Sequence, residues 1–211
     1  MGIPLSFTTI VIPMKIFIFF PFLIFITAAC NNAATDKNKQ QADEAAAYLK
    51  QGDSIVKITF DTLRSVLLKT IAAKEHADAL KFCNVQALPI TAMYASEGIT
   101  VSRVSDKNRN PGNALQDLDI TAWQKYLALA ANKDSLKAMV LSENSTIHYY
   151  KPILMQPMCL SCHGSAEKDI AKQLQPVIDS LYPADKAKGY KTGDLRGMWH
   201  IVFTKQTAAN N

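Results

Sequence analysis

Cys159-Leu160-Ser161-Cys162-His163 constrains this chain more than any other stretch, because whatever it attaches must be housed by the rest of the fold. Two thiols three residues apart share one face of a helical turn, from which they can form thioethers to the two vinyl groups of one porphyrin. The next residue, His163, is placed to bring an imidazole nitrogen to the iron. A bare C-x-x-C would equally suit a redox dithiol or half a zinc site, and the adjoining histidine is what points to covalent haem. The 48 residues from Gly164 to Asn211 follow the motif, so it is not a terminal appendage.

Haem is joined to protein outside the cytoplasm, and the N-terminus supplies a route there. Residues 1–29 are almost continuously apolar and end in Thr27-Ala28-Ala29 before Cys30. A charged start, an apolar middle and small residues before a cut form an export signal. Lys15 is the only charge before Asp36, and Met14-Lys15 makes a more ordinary start than Met1. A cysteine directly after small residues, followed by Asn31-Asn32, matches a bacterial lipoprotein signal, although Thr27 stands where Leu is usual. In that reading Cys30 is lipidated and anchors the chain to the membrane on the periplasmic side. The alternative is an uncleaved span, for which the run is long enough.

The expected organisation is a signal over 1–29, a flexible polar tether over 30–42 and a haem domain over 43–211. Removing the signal, whose only charge is Lys15, leaves 182 residues with 22 basic and 18 acidic side chains. That length suits one domain, and so mild a charge gives no sign of a nucleic-acid partner. The four cysteines sort as Cys30 for lipid, Cys159 and Cys162 for haem, and Cys83 left single.

Apolar residues recur at helical spacing from Asp43 to about Cys83, with Gly52-Asp53-Ser54 as a break or kink. This long helix is a candidate homodimer surface or a link to the membrane; the plainer account is packing on the sheet. Ile99–Val104 alternates as a strand, and Asp119–Ala131 reads as a helix. Lys137–Leu141, Thr146–Ile153 and Gly197–Thr204 are further strands, and Glu167–Leu181 is an amphipathic helix. The expectation is an α+β domain with a long N-terminal helix. A late motif followed by a strand argues against the all-helical cytochromes, which leaves a four-helix cytochrome as the weaker alternative.

Several segments together resemble a known family: Phe82-Cys83-Asn84, Ile90-Thr91, Arg103-Val104-Ser105, Arg109-Asn110-Pro111 with Asn113, and Tyr150-Lys151-Pro152-Ile153. They continue through the haem motif and Gly164 to Tyr182-Pro183, Asp185, Ala187, Gly189-Tyr190 and Gly193-Asp194 with Arg196-Gly197. This ordered run, over roughly 45–204, resembles the bacterial c-type haem domains with a PAS-like fold, found alone or as sensor parts of signalling proteins. The resemblance implies a five-stranded antiparallel sheet flanked by helices and one covalent haem c. It also implies Cys/His ligation of the iron, with Cys83 opposite His163.

From the residues alone the second axial ligand is open among Cys83, His76, His148, His200 and the seven methionines. Cys83 could equally be a buried small apolar residue. His76 is expected mid-helix and pointing away, and His148 and His200 are expected as ordinary sheet residues. Met155 and Met158 could line the haem edge or fill core. Arg103, Lys107, Arg109, Lys151 and Arg196 are candidates to pair with the propionates. The functional expectation is a membrane-tethered redox or diatomic-ligand sensor acting with a separate redox or signalling partner. The alternatives are a small electron-transfer cytochrome and, less favoured, a haem enzyme such as a peroxidase. A peroxidase needs an open distal position, which a Cys83 ligand would close.

Overall fold

The structure, a computed structural model, describes Gly2, residues 29–73 and residues 75–204, with side chains from Thr35 onward. The export signal and the Met14 start therefore lie outside the described residues, as does the side chain of Cys30. No described helix is long and apolar enough to cross a membrane. Chain contacts separate residues 1–39 from a unit formed by residues 40–211, and the site lies in the latter.

Helix α1 runs over Ala29–Ala73, so the segment expected as a flexible tether is helical. Ala33, Ala34, Lys37, Lys39, Gln40 and Gln41 are good helix formers with no Gly or Pro among them, which explains the continuity. Nor does α1 break at Gly52. A Cβ there would run into the Tyr149 ring, so the glycine marks a close approach of helix to sheet. The break comes later, where Glu75 adopts an extended conformation and α2 (His76–Ala92) begins.

Four antiparallel strands, β1 (Ile99–Val104), β2 (Met139–Glu143), β3 (Thr146–Leu154) and β4 (Leu195–Thr204), form a sheet in the order β1-β4-β3-β2. That is one strand fewer, among the described residues, than the resemblance implied. Alternation along the strands sorts side chains between two faces. Val101, Ile147, Tyr149, Trp199, Ile201 and Phe203 form one core with Val56 of α1. Val104, Tyr150 and Met198 form a second, under Ala122, Trp123 and Tyr126 of α3 (Asp117–Ala131). The sheet is thus a partition between α1 and α3.

The haem motif follows β3 through a 3-10 turn at Pro157–Cys159 and the single helical turn α4 (Leu160–His163). Beyond it the expected helix Glu167–Leu181 is shorter: α5 covers only Gln175–Leu181, after a 3-10 turn at Lys172–Leu174. Pro176 explains this. Proline suits a first helical turn but removes a hydrogen bond and clashes inside one, so the helix starts there instead of running through.

Candidate functional site

One cavity of about 320 Å³ is lined by Cys83, Cys159, Cys162, His163 and Arg103, all of them among the candidates named from sequence. Its walls come from segments far apart in the chain. Phe60, Leu63, Arg64, Leu67 and Ile71, at helical spacing, present one stripe of α1. The plainer expectation, that this helix only packs on the sheet, is corrected for its C-terminal half. Helix α2 supplies Cys83, β1 and β4 supply Arg103 and Trp199, and the α4 turn supplies both other thiols and the imidazole.

The imidazole is oriented. His163 Nδ1 lies 2.9 Å from the Ala187 carbonyl, so Nδ1 carries the proton and Nε2 keeps its lone pair. Burial, then the charges of Arg109 and Arg196, hold the ring well below the usual histidine value, favouring this neutral form. The loop that provides the carbonyl is itself tied to the motif. Gly189 N–H donates to Gly164 at 2.8 Å and Tyr190 N–H to His163 at 3.0 Å. Gly164 is required here, since a Cβ would lie 2.6 Å from the Asp169 side chain.

Arg109, offered by the sequence as a propionate partner, instead fastens this assembly. Its Nε and Nη2 donate to both oxygens of Asp185 at 3.1 Å, and Nη2 also donates to the carbonyls of Cys162 and Ala187 at 2.6 and 3.2 Å. Lys107 donates to the Lys188 carbonyl and covers the Tyr190 ring, and Lys151 pairs with Asp53. Neither is part of the cavity lining. Arg103 and Arg196 do line it, and the Nε of each is buried without a partner. A register shift after Ile153, opposite the step from Gly197 to Leu195, makes Arg196 the extra residue of β4 and re-aims it.

The two unpartnered guanidinium nitrogens are the structure's own test of what fits. A buried donor without an acceptor is costly, and both belong to cationic side chains of the lining, which suit a dianionic ligand by charge. Two free thiols, a neutral imidazole with Nε2 available and apolar walls complete a donor set suited to haem. Burial pushes the Cys83 thiol up, with Arg103 and Arg109 opposing that and Cys162 adding to it.

His76 lines the cavity rather than pointing away, because it opens α2 instead of sitting mid-helix. Met158 lines the cavity, whereas Met155 is core against Ala187 and Tyr190. His148 and His200 are not among its lining residues. Sequence reasoning placed Tyr182 among the segments of the resemblance but gave it no part in the site. It lines the cavity under Arg109, and burial followed by the nearby Cys83 pushes its phenol up to about 12. Arg64 was missed too, although its place in the α1 stripe was a usable signal.

The sequence matches the Tll0287-like family over residues 32–204. The chain belongs to that family. Among solved structures it resembles the cyanobacterial haem protein Tll0287 at 26% identity, covering 74% of this chain and 96% of that one with a TM-score of 0.53. No curated protein matches it. The family match takes in every residue that lines the cavity.

Proposed function

We propose that this chain is a membrane-tethered c-type haem protein that senses redox state or a diatomic ligand outside the cytoplasm. Cys159 and Cys162 would hold one haem covalently, His163 would be the proximal ligand through Nε2, and Cys83 would approach from α2. Arg103 and Arg196 would meet the propionates. The observation that carries the reading is the convergence of three thiols, one oriented imidazole and two arginines on one cavity. The solved relative is itself a haem protein, which supports the cofactor.

Bound haem supplies a one-electron couple and an axial position at which a ligand can compete. The chain's own part is to make that position conditional. Cys83 sits on a helix that packs against β1 and α5, so its engagement or release changes what holds α2. Arg103 and Arg109 lie near its sulfur and partly offset the burial that disfavours the thiolate. A non-enzymatic role would follow if Cys83 held the iron together with His163, since no position would then be left for a substrate. Export and lipidation at Cys30 would place the domain on the periplasmic side, with a separate redox or signalling protein as partner.

The electron-carrier reading has one observation in its favour: Leu88 and Leu154, at the cavity wall, are 42% and 43% exposed and offer an apolar rim to a redox partner. One spectroscopic series separates the two. The chain is purified from cells with haem-maturation machinery, and an alkaline pyridine spectrum, EPR and CO or NO binding are recorded. Covalent haem, a ferric low-spin signal altered by Cys83→Ser and rapid binding of gas by the reduced form are expected for a sensor. Absence of covalent haem refutes the cofactor assignment; inertness to gas with fast electron exchange supports the carrier.

A further inference from the structure

Across the sheet from the cavity, side chains that the haem reading does not use form a continuous hydrogen-bond chain. His200 Nδ1 lies 2.9 Å from Asp119 Oδ1, and that oxygen also accepts from the Tyr150 hydroxyl at 3.0 Å. Asp119 Oδ2 accepts from the Gln116 amide at 3.1 Å. The Tyr150 hydroxyl and the Gln116 amide donate to it and help hold its pKa below the usual value, so Asp119 is a carboxylate and His200 Nδ1 carries the proton of the third contact. His200 Nε2 lies 3.0 Å from His148 Nδ1, with the Tyr150, His200 and His148 rings stacked. His148 Nε2 lies 2.9 Å from Thr146 Oγ1, whose one hydrogen goes to the Glu143 carbonyl at 2.7 Å. His148 Nε2 must therefore donate as well.

Proton counting follows. Both outer nitrogens are donors, and the central contact needs one proton between two nitrogens. The complete chain thus requires three N–H protons on two rings, or one positive charge, facing the Asp119 carboxylate. Removing one breaks a bond in the chain; adding a fourth sets two N–H groups against each other. The other ionisable or polar groups facing the pair are Tyr150 and Thr146 on β3, Glu143 on β2, Tyr126 on α3, and Ser102 on β1, which donates to the His200 carbonyl.

We infer that His148 and His200, with Asp119 as counter-ion, form a proton-binding site that holds one shared proton and electrostatically links pH to the cavity on the other side of β4. The link is the strand itself: Trp199 lines the cavity while its neighbour His200 points into this chain of bonds. A charge so placed is felt across one layer of low-dielectric sheet. An added electron in the cavity favours retention of the proton, so the reduction potential falls as pH rises through the pair's titration. This link rests on the haem reading of the proposed function, whereas the proton count does not.

The test is a pH titration of the full-length chain over about pH 5 to 8, reading the imidazole nitrogens by long-range proton–nitrogen correlation NMR and the midpoint potential by potentiometry. The expected result is that both rings titrate together in two steps, with one imidazolium charge between them at neutral pH. The midpoint falls across the upper step, and His200→Gln abolishes that dependence. His148→Gln, at a half-buried position, should do the same if the first variant folds poorly. Two neutral or independently titrating rings at neutral pH overturn the site, and an identical potential profile in the variants overturns the link. A chain without covalent haem overturns the proposed function and the link with it, and ring titration of that haem-free chain still decides the proton site.

Discussion

Replacing Arg109 with Met should be among the most damaging single changes outside the proposed haem ligands. The Arg109 and Asp185 side chains are 9% and 3% exposed, so their pairing is shielded from water. Removal leaves Asp185 with the Ala187 amide at 2.8 Å as its remaining donor, and strips the Cys162 carbonyl of a 2.6 Å bond. Breaking a buried ion pair from one side costs about 3–5 kcal/mol. In a domain of this size each kcal/mol shifts the melting temperature by about 2–4 °C, so a fall of roughly 6–20 °C is expected. The cost resides mainly in the stranded carboxylate, hence Asp185→Leu added to Arg109→Met should restore much of the loss. Urea and thermal unfolding of the haem-free chain, made without maturation machinery, measure both variants. A single-variant loss under about 1 kcal/mol would refute the burial argument, that being the range of an exposed pair. A double variant less stable than the single one would show that the damage comes from packing instead.

Gly52→Ala should destabilise by about 1–3 kcal/mol in urea unfolding, although alanine is the better helix former, because the added methyl meets the Tyr149 ring. Arg103→Met should leave the haem-free chain as stable or more so, since it removes a buried unpartnered nitrogen, yet lower the midpoint potential of the haem form by deleting a positive charge. Stability should fall on acidification in two windows. Burial and the His200 charge lower the His148 pKa, so its contribution is complete above about pH 6.5 and is lost as pH drops below that toward the folded value. Burial raises Asp119, but His200, the Gln116 amide and Tyr150 outweigh it, so its contribution holds above about pH 3.9 and fades below. Tyr150→Phe should move this second loss to higher pH, as read by unfolding curves at stepped pH.

What the sequence determined by itself is whatever depends on residues close together along the chain. The haem motif, the alternation of Ile99–Val104 and the periodicity of Asp119–Ala131 each express local geometry, and each lies where expected. The link between Cys83 and the motif was also legible, though only through the resemblance and the count of cysteines. Charges were not so readable. Arg103, Arg109 and Arg196 look alike in sequence, and only the fold makes Arg109 a fastener with Asp185 while leaving each of the other two with a buried, unpaired Nε. His148 and His200, ordinary members of two strands by their spacing, become one proton-binding pair because antiparallel register stacks residues 52 positions apart. A helix boundary such as Glu75, a glycine such as Gly52 and the fate of a cation are decided by contacts between distant segments. Those contacts exist only once the chain has closed on itself, and no local pattern encodes their partners.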